Sequence, residues 1–127
     1  KIDGIIGGLN GKTVAVYGAT YKPNIDDVRE SPIMHLIDML KEAGAEVKIC
    51  EPHAADKLEN CYDIYDAPKG ADILVLGVNH DQFKDVDFAK LTAEMKTPNI
   101  LDTRNFWCEK AVTAVGANYY LLGKGEE

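Results

Sequence analysis

The stretch Thr13-Val14-Ala15-Val16-Tyr17-Gly18, followed by Ser31-Pro32 and then by Glu46-Val47-Lys48-Ile49-Cys50, decides the fold. An unbroken apolar, β-branched run ended by glycine is what a strand buried on both faces of a parallel sheet looks like; a half-exposed strand would alternate. Ser31 offers an N-cap hydroxyl, and the fixed φ of Pro32 suits the first helical position. Ile33, Leu36, Ile37 and Leu40 then recur at i, i+3, i+4 and i+7, one apolar stripe, and Gly44 stands where a left-handed C-terminal cap falls. The helix is therefore predicted to end near Ala43. Strand, helix and second strand at this spacing make a βαβ unit with a right-handed crossover.

Reading outward, Ala71-Asp72-Ile73-Leu74-Val75-Leu76-Gly77-Val78 is the most hydrophobic run and is predicted to be the central third strand. Residues 53–70 mix polar groups with Pro68 and Gly70 and suggest a short helix or two. Phe83, Phe88, Leu91 and Met95 fit one or two helical segments, Pro98 breaks them, and Asn99-Ile100-Leu101-Asp102 resumes as a fourth strand. A fifth is expected over Asn118-Tyr119-Tyr120-Leu121-Leu122. Residues 1–10 are glycine-rich and read as a linker or the remnant of a preceding segment, leaving 11–127 as one domain. The predicted class is α/β: an open, doubly wound, mostly parallel sheet of about five to six strands, Rossmann-like but without a G-x-G-x-x-G fingerprint.

Composition narrows the function. At 127 residues, 46% hydrophobic and 28% charged, the chain has the makings of one core and not of a disordered tract. The formal charge of −7 repels phosphate backbones, so nucleic acid is not an expected partner. No apolar run approaches the roughly 20 residues of a membrane helix, and the start is too short and glycine-broken for a signal peptide, so a soluble cytoplasmic protein is expected. Cys50, Cys61 and Cys108 match neither a zinc spacing nor a disulfide framework and read as reduced structural thiols. His35, His53 and His80 show no two-histidine metal spacing, so no metal is expected.

Ligands of open α/β sheets sit beyond the carboxyl ends of the strands. After strand one comes Gly18-Ala19-Thr20-Tyr21-Lys22-Pro23, with an aromatic ring and an ammonium group; after strand four comes Asp102-Thr103-Arg104-Asn105, whose guanidinium suits a phosphate fork. Between them the helix starting at Pro32 offers unpaired amides and a positive dipole end. Tyr21, Lys22 and Arg104 thus describe a phosphate pocket. A lone loop cation is ordinarily a solvated charge, and Tyr21 serves equally as a cover for the sheet end. Arg29 reads as a partner of Asp26, Asp27 or Glu30, and Asp102 as a residue that orients Arg104. Glu51 imitates the acidic ribose ligand of NAD domains, a coincidence in the absence of the glycines. No catalytic residue is assigned.

The run Gly18-Ala19-Thr20-Tyr21-Lys22-Pro23-Asn24-Ile25-Asp26-Asp27-Val28-Arg29-Glu30-Ser31-Pro32 closely resembles the G-[LAF]-[AST]-[YF]-K-x(3)-D-D-x-R-E-S-P signature of the C-terminal domain of the UDP-glucose/GDP-mannose dehydrogenase family. Cys50-Glu51-Pro52, Ala71 to Leu76 and Asp102-Thr103-Arg104-Asn105 resemble further family stretches, so the likeness spans residues 10–122. It implies four-electron dehydrogenases that oxidise a sugar C6 alcohol to a carboxylate with NAD. In that family an N-terminal domain holds NAD, and a central dimerisation segment carries the catalytic Cys and Lys. This chain would be the C-terminal UDP-sugar-binding domain, with Tyr21 and Lys22 on the nucleotide and its phosphates and Arg104 toward the substrate end. The resemblance assigns the catalytic Cys and Lys to no residue here, and NAD to the domain that is missing. Its partners would be that domain, the dimerisation segment of a homodimeric parent, and a UDP-sugar. Tyr21-Lys22-Pro23 with Asn79-His80-Asp81-Gln82-Phe83 looks more like UDP-N-acetyl-mannosamine dehydrogenases than UDP-glucose dehydrogenases. The alternatives are a UDP-glucose or UDP-N-acetylglucosamine 6-dehydrogenase domain and a free-standing α/β binding or regulatory module.

Overall fold

The computed structural model describes residues 10–20, 32–52, 61–78, 80–84, 86–103 and 106–121. Five strands, β1 (Thr13–Tyr17), β2 (Glu46–Cys50), β3 (Ile73–Leu76), β4 (Asn99–Asp102) and β5 (Asn118–Leu121), form one sheet in the order β2-β1-β3-β4-β5. Every pairing is parallel. The helices are α1 (Pro32–Glu42), α2 (Phe88–Ala93) and α3 (Glu109–Thr113), with a 3-10 turn over Asp81–Phe83.

The central strands β1, β3 and β4 are buried on both faces, which is why they carry no alternation, whereas the edge strand β2 is exposed at Glu46 and only part-buried at Val47 and Lys48. Val14, Val16, Ile73, Val75 and Leu101 pack with Ile33, Ile37 and Leu40 of α1 on one side. Ala15, Tyr17, Leu74, Leu76 and Ile100 pack on the other with Phe83, Leu91, Trp107 and Val112. The α1 stripe works as its spacing predicts. The helix ends in a Schellman closure, with Ala45 N donating to Leu40 O and Gly44 N to Lys41 O, both at 3.1 Å, and Gly44 at φ +95°.

The third strand is shorter than its apolar run. At its amino end the Asp72 carboxylate accepts the Thr13 N–H at 2.9 Å. At its carboxyl end Gly77 and Val78 both donate to Tyr17 O, at 2.8 and 3.2 Å, which closes the ladder into a turn. The helix expected within residues 53–70 is not formed over the described part. Cys61 makes a single bridge beside Ile49 of β2, and residues 64–70 are turns held by donors to the Asp63, Asp66 and Pro68 carbonyls. Residues 53–60 lie outside the described residues, as do 1–9 of the expected linker.

A polar ladder ties the amino edge. Asn99 Nδ2 donates to Asp72 O at 3.0 Å, and Asn118 Nδ2 donates to Asn99 Oδ1 at 2.9 Å, linking β3, β4 and β5. Among the described residues no helix is long and apolar enough to cross a membrane.

Candidate functional site

The strand order puts β1 and β3 side by side while the chain leaves them toward opposite edges of the sheet. This is the topological switch point, where open α/β sheets form their ligand crevice. Two glycines shape its floor. Gly18 has φ +90°, and a Cβ there would stand 2.7 Å from Val78 Cβ; a Cβ on Gly77 would stand 2.9 Å from Ile33 Cγ1. The ends of β1 and β3 and the first turn of α1 can therefore close on one another, and this brings the amino end of α1 to the carboxyl edge.

A buried polar cluster sits on the same edge. Glu51, directly after β2, is 1% exposed, and its Oε1 accepts the Ala19 N–H at 2.6 Å. The same oxygen lies 2.9 Å from Nε2 of fully buried His80, and that nitrogen lies 3.2 Å from Thr20 Oγ1. A nucleophilic relay of hydroxyl, imidazole and carboxylate needs the acid and the hydroxyl on different ring nitrogens. Here both partners share Nε2, so the cluster is a tether joining the exits of β1, β2 and β3.

At the end of β4, fully buried Asp102 closes the following turn. Its Oδ2 accepts the N–H groups of Phe106 and Trp107, each at 2.8 Å, and the Tyr119 hydroxyl at 2.9 Å. Thr103 is fastened to β3, its N and Oγ1 donating to Leu76 O at 3.3 and 2.6 Å.

Tyr21, Lys22 and Arg104, with Arg29, Asp26, Asp27, Glu30 and Ser31, lie outside the described residues. Their described neighbours, Thr20 and Thr103, leave the carboxyl edge on either side of β3. Glu51 does not present an acid to a ribose, because its Oε1 is turned inward to Ala19 and His80. The space left by Gly18 faces Val78 and not an open cradle. These residues do not fit NAD in the manner of a dinucleotide fingerprint. The contact of His80 with Glu51 has no signature in its local sequence, since the two residues lie 29 positions apart.

A separate cleft of about 560 Å³ opens beside β2. Among the described residues its lining includes Glu51, Asp63 and Asp66 and no Lys or Arg. Cys50, Cys61 and Cys108 are free thiols. Burial pushes Cys50 up to about 12, and burial likewise raises Cys61; the amides of Ala111 and Lys110 lower exposed Cys108.

The model of the UDP-glucose/GDP-mannose dehydrogenase family, UDP binding domain, matches residues 15–109. A UDP-glucose 6-dehydrogenase of Rhizobium meliloti is 34% identical over 93% of this chain and 29% of its own length. A UDP-N-acetyl-D-mannosamine dehydrogenase of Methanocaldococcus jannaschii is 36% identical over 89% of this chain and 27% of its own length. The structure of UDP-N-acetyl-mannosamine dehydrogenase Cap5O from Staphylococcus aureus superposes with a TM-score of 0.79 at 31% identity, over 97% of this chain and 29% of that one. The chain thus spans less than a third of the length of these relatives.

Proposed function

This chain belongs to the UDP-glucose/GDP-mannose dehydrogenase family through its UDP binding domain, and from that premise we propose that it binds the nucleotide of a UDP-sugar for an NAD-dependent 6-dehydrogenase. Lys22 and Arg104, with the amide end of α1, hold the diphosphate, and Tyr21 packs on the nucleotide. On a chain of net charge −7 such cations are needed to hold a diphosphate at all. The observation that carries the reading is that Thr20 and Thr103 leave the same carboxyl edge on opposite sides of β3.

The domain's own contribution is to fix the sugar relative to the groups that oxidise it, a positional term and not a chemical one. In the parent enzyme a preceding domain binds NAD, a central segment supplies the catalytic Cys and Lys and the homodimer contact, and the isolated chain has no turnover. The inertness of buried Cys50, and a Glu51 engaged away from any ribose, support that division.

UDP-N-acetyl-D-mannosamine is the proposed substrate, supported by Tyr21-Lys22-Pro23, by Asn79 to Phe83 and by the archaeal and staphylococcal relatives. UDP-glucose is the second reading, supported by the 34% identical rhizobial enzyme. Calorimetric titration of the chain with UDP tests the binding claim. Lys22→Ala combined with Arg104→Ala abolishes the heat of binding if the reading is right; unchanged affinity in the double variant contradicts it.

A further inference from the structure

We propose that Glu51 is a positioning residue of the nucleotide site, acting through Ala19, His80 and Thr20; the inference rests on the UDP-binding reading above. The reasoning starts from what a buried carboxylate requires. A Glu that is 1% exposed needs donors on its oxygens, because a desolvated carboxyl group without them is strongly destabilising. Here two donors converge on one oxygen, a backbone N–H from the β1 exit and an imidazole nitrogen from beyond β3.

The choice of donors is informative. Ala19 and Thr20 directly precede Tyr21 and Lys22 in sequence, so Glu51 grips the backbone two residues ahead of the first proposed ligand residue. His80 then carries the grip to the Thr20 side chain at 3.2 Å. Packing alone would be served by an apolar residue at position 51, since the neighbouring positions on β2, Ile49 and Cys50, are buried and apolar. A side-chain oxygen at 2.6 Å from an amide instead fixes a direction, the one in which the chain leaves the sheet.

A double-mutant cycle on the full chain, read by UDP titration with thermal unfolding measured in parallel, tests this. Glu51→Ala should weaken UDP binding tenfold or more. Glu51→Gln keeps an acceptor oxygen for Ala19 and should stay within threefold of the parent chain. In a Lys22→Ala background the Glu51→Ala loss should shrink to under twofold, while its effect on the melting temperature persists unchanged. Should Glu51→Ala not fold, Thr20→Val deletes the hydroxyl at nearly constant volume and reads the same coupling, with a loss of threefold or more expected. If the parent chain binds UDP and Lys22→Ala weakens it, but the position-51 and position-20 variants have no effect or the same effect in both backgrounds, the positioning role is overturned alone. If the parent chain does not bind UDP, the function reading falls and takes this inference with it.

Discussion

The side chain that Gly18 lacks would put its Cβ 2.7 Å from the Cβ of Val78, at the point where β1 and β3 release the chain in opposite directions. Backbone atoms of Val78 stand at 2.9 Å from the same position, so no rotamer change relieves the overlap. Gly18→Ala combines a left-handed φ with an overpacked contact and should cost about 2–4 kcal/mol in a urea titration. Gly116 has a comparable φ of +86° and nothing within 4 Å of its missing Cβ. Gly116→Ala should cost no more than about 1–2 kcal/mol. Equal costs for the two would mean that the strain is conformational only and that the switch point is not closed by this contact.

Asp102 Oδ2 ties the backbone of Phe106 and Trp107, and the Tyr119 hydroxyl, to the end of β4. Asp102→Ala strips the acceptor from two amides and one hydroxyl and should destabilise by about 2–4 kcal/mol, whereas Tyr119→Phe removes one donor and should cost about 0.5–1.5 kcal/mol. Asp102→Ala should also weaken UDP binding below the unfolding transition. An undiminished affinity would show that the Asp102 anchor on Phe106 and Trp107 does not serve the site.

The thiols should separate under alkylation. Cys108 is exposed and held below its ordinary range by the amides of Ala111 and Lys110, so it should label first with iodoacetamide at neutral pH. Cys50, at about 12 and buried, should label only on unfolding. Peptide mass spectrometry after brief labelling reads the order; early loss of Cys50 would contradict the packing of β2.

Alkaline pH should loosen the fold, and the sign follows from burial. The Cys50 thiol is raised by burial first and then by Glu51, Cys61 and Asp63, from the usual 9.0 to about 12. Below pH 9 folded and unfolded chains both keep the proton, and the stabilisation is fully present. As pH rises from 9 toward 12 the unfolded chain releases a proton that the folded chain retains, so stability falls by up to about 1.4 kcal/mol per pH unit for such a group. Tyr17, also raised by burial, adds to the loss above its ordinary range of 10.0. The urea midpoint should hold up to about pH 9 and decline from there to about pH 10.5, less steeply in Cys50→Ala. A flat midpoint would contradict the burial of these groups.

The fold was legible because its determinants are local. Apolar runs such as Thr13–Tyr17 and Ile73–Leu76, the i, i+3, i+4, i+7 stripe of α1 and the glycine cap at Gly44 each carry their structure within a few residues. The α3 helix was not legible, since five residues with Val112 as the buried one leave no stripe to read. The strand ends were overextended because apolarity does not mark where a ladder stops; Tyr17 O and the Asp72 carboxylate do. For the proposed site, the sequence singles out the turns after β1 and β4 by their cations, Lys22 and Arg104, which lie outside the described residues. The role of Glu51 was missed because it depends on residues 29 and 32 positions away, His80 and Ala19, which meet only when three parallel strands align.

The account turns on where the nucleotide sits, and amide chemical-shift mapping on addition of UDP to the isotopically labelled chain asks that most directly. The shifts are predicted to cluster at the carboxyl edge, on Gly18 to Thr20, Gly77, Val78, Thr103 and Phe106. Shifts confined to Asp72, Asn99 and Asn118 at the amino edge, or to Tyr62 and Tyr65 in the acidic cleft beside β2, or no shifts at saturating UDP, would contradict it.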